Sequence, residues 1–225
     1  MVGSGVVKIC GLSTRETLQA ALDAGADMVG FVRFPRSPRH VELDAARDLC
    51  ALAKGRALVV ALTVDADDAE LAAIVEDMAP DMLQLHGRES PERVAEIRAL
   101  FGVPVMKATG VAERADLDAL APYARVTDRL LLDAKPPRGA DALPGGNGLS
   151  FDWRLIEGLA ERLDPPVPFM LSGGLSPENV GEAIALTRVS GIDVSSGVES
   201  APGVKDSARI FAFVEAARAA WARAV

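Results

Sequence analysis

The chain has 225 residues, of which 49% are hydrophobic and 25% charged, and a formal net charge of −8. That length suits one large α/β domain or two small ones, and it buries enough surface to need no disulfide or metal scaffold. The negative balance argues against a nucleic-acid or anionic-membrane surface, since both want a basic face; a small anion held by local backbone donors stays open. Two cysteines, Cys10 and Cys50, make no disulfide framework, so a reducing cytoplasm fits. No leader and no membrane span is expected, because no apolar run reaches the ~18 residues a spanning helix needs.

Short apolar runs recur at residues 6–10, 28–32, 57–62, 82–86, 103–107, 130–133, 167–171 and 192–195. They are β-branched or leucine-rich and too short for helices, which predicts eight strands buried on both faces of a parallel sheet. Between them, residues 14–23, 43–53, 66–78, 91–100, 115–120, 153–162, 177–186 and 207–222 carry apolar side chains at helical spacing. Ser13, Ser90 and Ser176 stand at N-cap positions, Pro91 and Pro177 at the first helical position, and Gly25 and Gly102 just past helix ends. A strand-helix pair repeated eight times, without a composition break, predicts a (βα)₈ (TIM) barrel forming a single domain over residues 1–225. A doubly wound open sheet is the competing architecture. Residues 135–150, rich in Gly and Pro, exceed an ordinary βα turn and are a candidate mobile loop.

In such a barrel the site lies at the C-terminal ends of the strands. The runs end in Cys10-Gly11, His86-Gly87, Lys107, Asp133, Ser172-Gly173-Gly174 and Asp193-Val194-Ser195-Ser196-Gly197. Alternation at period two puts Lys8 on the face of Cys10, and Gln84 on that of His86. A cation from Lys8 would raise the thiolate fraction at Cys10; otherwise a small buried Cys is an ordinary core residue, which is the reading for Cys50 on its amphipathic helix. Asp133, after Leu130-Leu131-Leu132, is costly unless solvated or paired. It reads as a general acid or base with a burial-raised pKa, or as a cap on the following loop. His86 reads as an acid/base group, a hydrogen-bond donor to substrate, or an inert histidine; His40 carries no clear signal.

The paired glycine endings of strands 7 and 8 read as a phosphate cradle of backbone N–H groups, or more plainly as two tight turns. Arg36 and Arg39, in the loop Pro35-Arg36-Ser37-Pro38-Arg39 stiffened by its prolines, offer guanidinium groups for a carboxylate. No metal-ligand spacing, P-loop or dinucleotide fingerprint is present, so no metal and no cofactor is expected. A thiol, a carboxylate, an arginine and a phosphate cradle suit proton transfer on a phosphorylated, carboxylate-bearing small molecule.

The segments Val7-Lys8-Ile9-Cys10-Gly11, Gly30-Phe31-Val32 with Ser37-Pro38-Arg39, Gln84-Leu85-His86-Gly87, Phe151-Asp152-Trp153, Ser172-Gly173-Gly174-Leu175 and Gly191-Ile192-Asp193-Val194-Ser195-Ser196-Gly197-Val198-Glu199 resemble the motifs of the phosphoribosylanthranilate isomerase family of tryptophan biosynthesis, in that family's order. The resemblance implies an isomerase that carries out an Amadori rearrangement of N-(5-phosphoribosyl)anthranilate without a cofactor. It implies Cys10 as general base and Asp133 as general acid. Arg39 would hold the anthranilate carboxylate and His86 border the anthranilate. Asp193 would line the ribose side, with Lys8 beneath, and Gly173, Gly174, Ser195, Ser196 and Gly197 would lie at the phosphate. Arg33 stands where an apolar or aromatic residue is expected. Three other functions compete. The sister isomerase of histidine biosynthesis uses an Asp where Cys10 stands. A barrel that only binds a phosphorylated metabolite need not retain Cys10 and Asp133. A cysteine hydrolase needs a His beside the thiol.

Overall fold

Eight parallel strands close on themselves: β1 (Val6–Cys10), β2 (Met28–Arg33), β3 (Leu58–Thr63), β4 (Met82–Leu85), β5 (Val105–Val111), β6 (Arg129–Ala134), β7 (Phe169–Leu171) and β8 (Gly191–Val194). Each strand pairs with the next, and β8 returns to β1, so the open-sheet alternative falls. The structure is a computed structural model describing residues 5–135, 145–146 and 148–223. The helices are α1 (Arg15–Asp23), α2 (Leu43–Ala53), α3 (Asp68–Met78), α4 (Pro91–Phe101), α5 (Arg114–Asp118), α6 (Leu120–Ala124), α7 (Leu159–Arg162), α8 (Val180–Thr187) and α9 (Ser207–Arg223). Among the described residues none is long and apolar enough to cross a membrane.

Strand alternation builds two cores. Outward residues such as Val7, Ile9, Val29 and Phe31 pack under the helices and are fully buried. Each such side chain contributes about 1.5–3 kcal/mol. Inward residues fill the barrel: Met28, Val60, Met82, Met106, Ala108, Leu131 and Met170 form its floor, and Cys10, Val32 and Leu62 a layer above. Four unbranched methionines suit this space, because their flexible chains fill irregular gaps.

Several boundaries differ from the sequence reading. Thr14, not Ser13, caps α1, its side chain accepting from the Thr17 N–H at 3.2 Å. Ser90 and Pro91 open α4, and Gly102 ends it in the left-handed region, as expected. The strand expected to stop at Lys107 runs on to Val111, because Gly110 and Val111 still pair with Asp133 and Ala134. Lys107 therefore lies within β5, bonded to Glu89 at 2.8 Å. The helix expected at 115–120 is two short ones, and 153–162 is a 3₁₀ turn (Trp153–Ile156) followed by α7. The helix expected from Pro177 starts at Val180; the Asn179 side chain instead accepts from Ser176 N–H and donates to the Gly174 carbonyl, knotting the preceding loop. A hairpin absent from the sequence reading, β9 (Glu199–Ala201) and β10 (Val204–Lys205), follows β8. Most of the candidate mobile loop, residues 136–144 and 147, lies outside the described residues.

Candidate active site

Lys8 on β1 and Asp193 on β8 are direct register partners, and both side chains point into the barrel. The ammonium meets the carboxylate at 2.8 Å with Lys8 fully buried. An unpaired charge there would be very costly, so the pair is obligatory. Burial pulls the Lys8 ammonium down, but Asp193 and Cys10 together more than compensate, and the net pKa is above the ordinary lysine value. Lys8 is thus a fixed positive charge under the pocket floor. The Ser172 hydroxyl from the end of β7 donates to Asp193 at 3.4 Å.

Cys10 lies one layer higher, at the pocket wall. Its register partner is Gly30 on β2; a Cβ there would sit 2.9 Å from the Cys10 sulfur and 3.2 Å from Lys8 Nζ. Gly30 thereby leaves the room that thiol and ammonium occupy. Burial pushes the Cys10 thiol up, and Lys8 pulls it back only in part, so its pKa stands above the ordinary value. The sequence expectation of an activating Lys8 holds in sign, yet desolvation outweighs it.

Across the mouth, Asp133 near the end of β6 faces His86, which follows β4, with Oδ2 to Nε2 at 3.3 Å. Gln84, two residues before His86 on the same face, places its Nε2 3.1 Å from Nδ1. With the carboxamide nitrogen as donor Nδ1 accepts, and Nε2 is the ring nitrogen that faces Asp133. Asp133 Oδ1 accepts the Ala134 N–H at 2.9 Å. The result is a chain from Gln84 through His86 to Asp133. Gly145 roofs it: a Cβ there would meet Nε2 at 2.7 Å and Asp133 Oδ2 at 2.8 Å.

Arg39, in the loop after β2, is buried at the rim. Its Nε and Nη2 donate to the two Glu199 carboxylate oxygens at 2.7 and 2.8 Å, and Nη2 also to the Gly146 carbonyl at 3.2 Å. Both N–H groups of Nη2 are thereby in use, so a further acceptor would meet Nη1. The two glycine-bearing loops share the same pocket wall. Gly173 and Gly174 hold φ of +84° and +65°, conformations that glycine adopts without strain. Ser195 and Ser196 join them in the wall. Gly197 does not reach the wall. A Cβ there would sit 1.8 Å from the Leu175 carbonyl oxygen, so its bareness lets the two loops touch. Behind Ser195, the buried Lys205 donates to its carbonyl at 2.9 Å and its hydroxyl at 3.1 Å. Burial lowers the Lys205 pKa, with Glu199 opposing.

The structure thus gathers Cys10, Arg39, His86, Asp133, Gly173, Gly174, Asp193, Ser195 and Ser196 around one pocket, with Lys8 below and Gly197 behind. Arg33 resolves as an outward residue of β2 that donates to the Val41 carbonyl; Val32 is its pocket-facing neighbour. Sequence reading did not assign roles to Gln84, Glu199 and Lys205. The first two sit inside recognisable motifs, whereas Lys205 has no local signal, since only the hairpin folds it back onto Ser195. Among the described residues, no group of three or more His, Cys, Asp or Glu side chains could hold a metal ion.

A closed barrel whose polar groups collect at the C-terminal mouth has the build of a (βα)₈-barrel enzyme. Residues 7–216 match the family described as PRAI, N-(5'phosphoribosyl)anthranilate (PRA) isomerase. A protein of Rhodopseudomonas palustris (strain BisA53) named N-(5'-phosphoribosyl)anthranilate isomerase is 63% identical over 213 residues, 95% of each chain. The crystal structure of phosphoribosyl anthranilate isomerase from Thermotoga maritima superimposes with a TM-score of 0.85 at 33% identity, covering 96% of this chain and 99% of that one. A second structure, of such an isomerase in complex with reduced 1-(o-carboxyphenylamino)-1-deoxyribulose 5-phosphate, gives 0.82 at 32% identity over the same shares. The chain belongs to the N-(5'-phosphoribosyl)anthranilate isomerase family.

Proposed function

We propose that the chain catalyses the Amadori rearrangement of N-(5'-phosphoribosyl)anthranilate to 1-(2-carboxyphenylamino)-1-deoxyribulose 5-phosphate, with Asp133 as general acid and Cys10 as general base. The observation that carries this reading is that the thiol on β1 and the carboxylate on β6 line one pocket, together with Arg39 and the two glycine loops. A proton from Asp133, a group coupled to His86 at 3.3 Å, goes to the ribose ring oxygen and opens the ring. The iminium that results makes the C2′ proton acidic, and Cys10 removes it. The C2′–H electron pair becomes the C1′=C2′ bond and the C=N pair returns to nitrogen, giving an enolamine that tautomerises to the ketone. A thiol with a raised pKa is rarely ionised but is a strong base once ionised; the Lys8 charge beneath it favours that thiolate.

In the same reading Arg39 takes the anthranilate carboxylate through its Nη1 end, and His86 borders the aromatic ring. Asp193 lines the ribose, and Gly173, Gly174, Ser195 and Ser196 take the phosphate. Gly197 supports the phosphate site indirectly. The cysteine hydrolase is disfavoured because His86 faces Asp133 and His40 faces Glu42 at 3.4 Å, so neither ring serves the thiol. Two free thiols suit a cytoplasmic location. The test is direct. Phosphoribosylanthranilate is made in situ and its fluorescence followed on adding enzyme; loss of emission with formation of the ketose product is expected. No turnover would refute the reading and leave a barrel that only binds the metabolite.

A further inference from the structure

Glu199 closes the strand 8 motif, and the reaction as derived leaves it without a role. It sits on the hairpin after β8, with a side chain 4% exposed. Its Oε1 accepts from Arg39 Nε and from Lys205 Nζ, both at 2.7 Å. Its Oε2 accepts from Arg39 Nη2 at 2.8 Å and from the Gly203 N–H at 3.2 Å. All four acceptor positions of the carboxylate are therefore in use. Lys205, 1% exposed, turns its remaining donors to Ser195. One carboxylate thus joins the loop after β2 to the loop after β8. Two cations share it, so the cluster retains one positive charge beside a pocket meant for an anion. By occupying the Nε–Nη2 edge of Arg39, it also decides which edge of the fork faces the pocket.

We propose that Glu199 is a positioning residue that makes the two anion-holding ends of the site one unit, aiming Arg39 at the aromatic carboxylate and, through Lys205, holding the Ser195 loop at the phosphate. This rests on the assignment of Arg39 and Ser195 made above. Without the carboxylate, Arg39 and Lys205 become neighbouring like charges with no anion between them, and both ends loosen together.

The test measures kcat, KM and the competitive inhibition constants of inorganic phosphate and of benzoate, each for wild type, Glu199→Gln and Lys205→Met. Glu199→Gln is expected to raise both inhibition constants about tenfold or more, with kcat held within about threefold. Lys205→Met is expected to raise the phosphate constant alone. A Glu199→Gln enzyme in which only one constant moves, or neither, overturns the proposal, as does a collapse of kcat with both constants unchanged. Should circular dichroism show Glu199→Gln unfolded, Glu199→Asp gives the same readout. Its shorter carboxylate keeps the charge but cannot span both cations, so both constants should rise; two unchanged constants overturn the link. A wild type that neither phosphate nor benzoate inhibits would refute the assignment of the anion ends, not the link between them.

Discussion

Replacing Gly197 with alanine tests how the two loops proposed to take the phosphate are held. The backbone there is not in the left-handed region, so alanine is not strained by conformation; what matters is space. The new methyl would fall 1.8 Å from the Leu175 carbonyl oxygen and 2.9 Å from its carbonyl carbon, both backbone atoms that cannot swing aside. The loops after β7 and β8 must part by roughly 1.5 Å to restore ordinary packing. Overpacking of this kind costs about 1–3 kcal/mol, which for a chain of this size lowers Tm by about 2–4 °C per kcal/mol. The barrel survives that loss, but Ser195 and Ser196 move relative to Gly173 and Gly174. A misplacement of about 1 Å is worth about a hundredfold in rate, and here it should appear mainly in KM, because the phosphate is bound alike in ground and transition states. The assay is the fluorescence progress curve over a range of substrate, with thermal unfolding followed by circular dichroism. An enzyme with wild-type kcat and KM within twofold would refute the contact, and one with kcat alone reduced would show that the loops serve chemistry more than anion binding.

Cys10→Ser keeps the size and removes the thiolate, so kcat should fall by about 10²–10⁴ while a product analogue still binds; turnover within a few-fold of wild type excludes the thiolate base. Asp133→Asn should lose a similar factor, and tolerance there would move the acid to His86, its partner at 3.3 Å. Burial holds the Cys10 thiol above its ordinary pKa despite Lys8, so the neutral thiol dominates at neutral pH and the thiolate grows as pH rises. Inactivation by iodoacetamide should therefore quicken about tenfold per pH unit through pH ~7–9, without levelling off near the ordinary thiol value of ~8.5; a plateau below that would show an activated thiol. Cys50, pushed up to about 12 by burial, should stay unlabelled over this range, as peptide mapping would reveal. Dialysis against EDTA should leave activity intact, since proton transfers suffice for the rearrangement; activity lost and then restored by a divalent ion would break that account.

Much of this protein is legible without coordinates. Eight apolar runs with helical spacers fall within a few residues of the eight strands, because a strand buried on both faces has little choice of composition. Period-two alternation alone stacks Cys10 over Lys8 and His86 over Gln84. The ends of the runs pick out Asp133 and the glycine loops, since carboxylates and bare backbone seldom end apolar strands for packing reasons. Helix starts were less legible: Ser13 and Ser176 are sound capping residues, but Thr14 and the Asn179 knot prevailed through contacts one to three residues away.

Other features needed the closed barrel. Lys8 and Asp193 lie 185 positions apart, and only closure of β8 on β1 makes them register partners at 2.8 Å. Arg39 looked like a free fork in a proline-stiffened loop; its bond to Glu199, 160 positions away, commits one edge of that fork. The Cys10 pKa is likewise a tertiary quantity, set by the balance between burial and one ammonium. The sequence by itself determined the eight barrel strands and the polar side chains that end them, because both follow from local composition and spacing. Tertiary structure alone decided which charges meet, which edges stay open and how far each group is desolvated, because those depend on side chains that share space without sharing sequence.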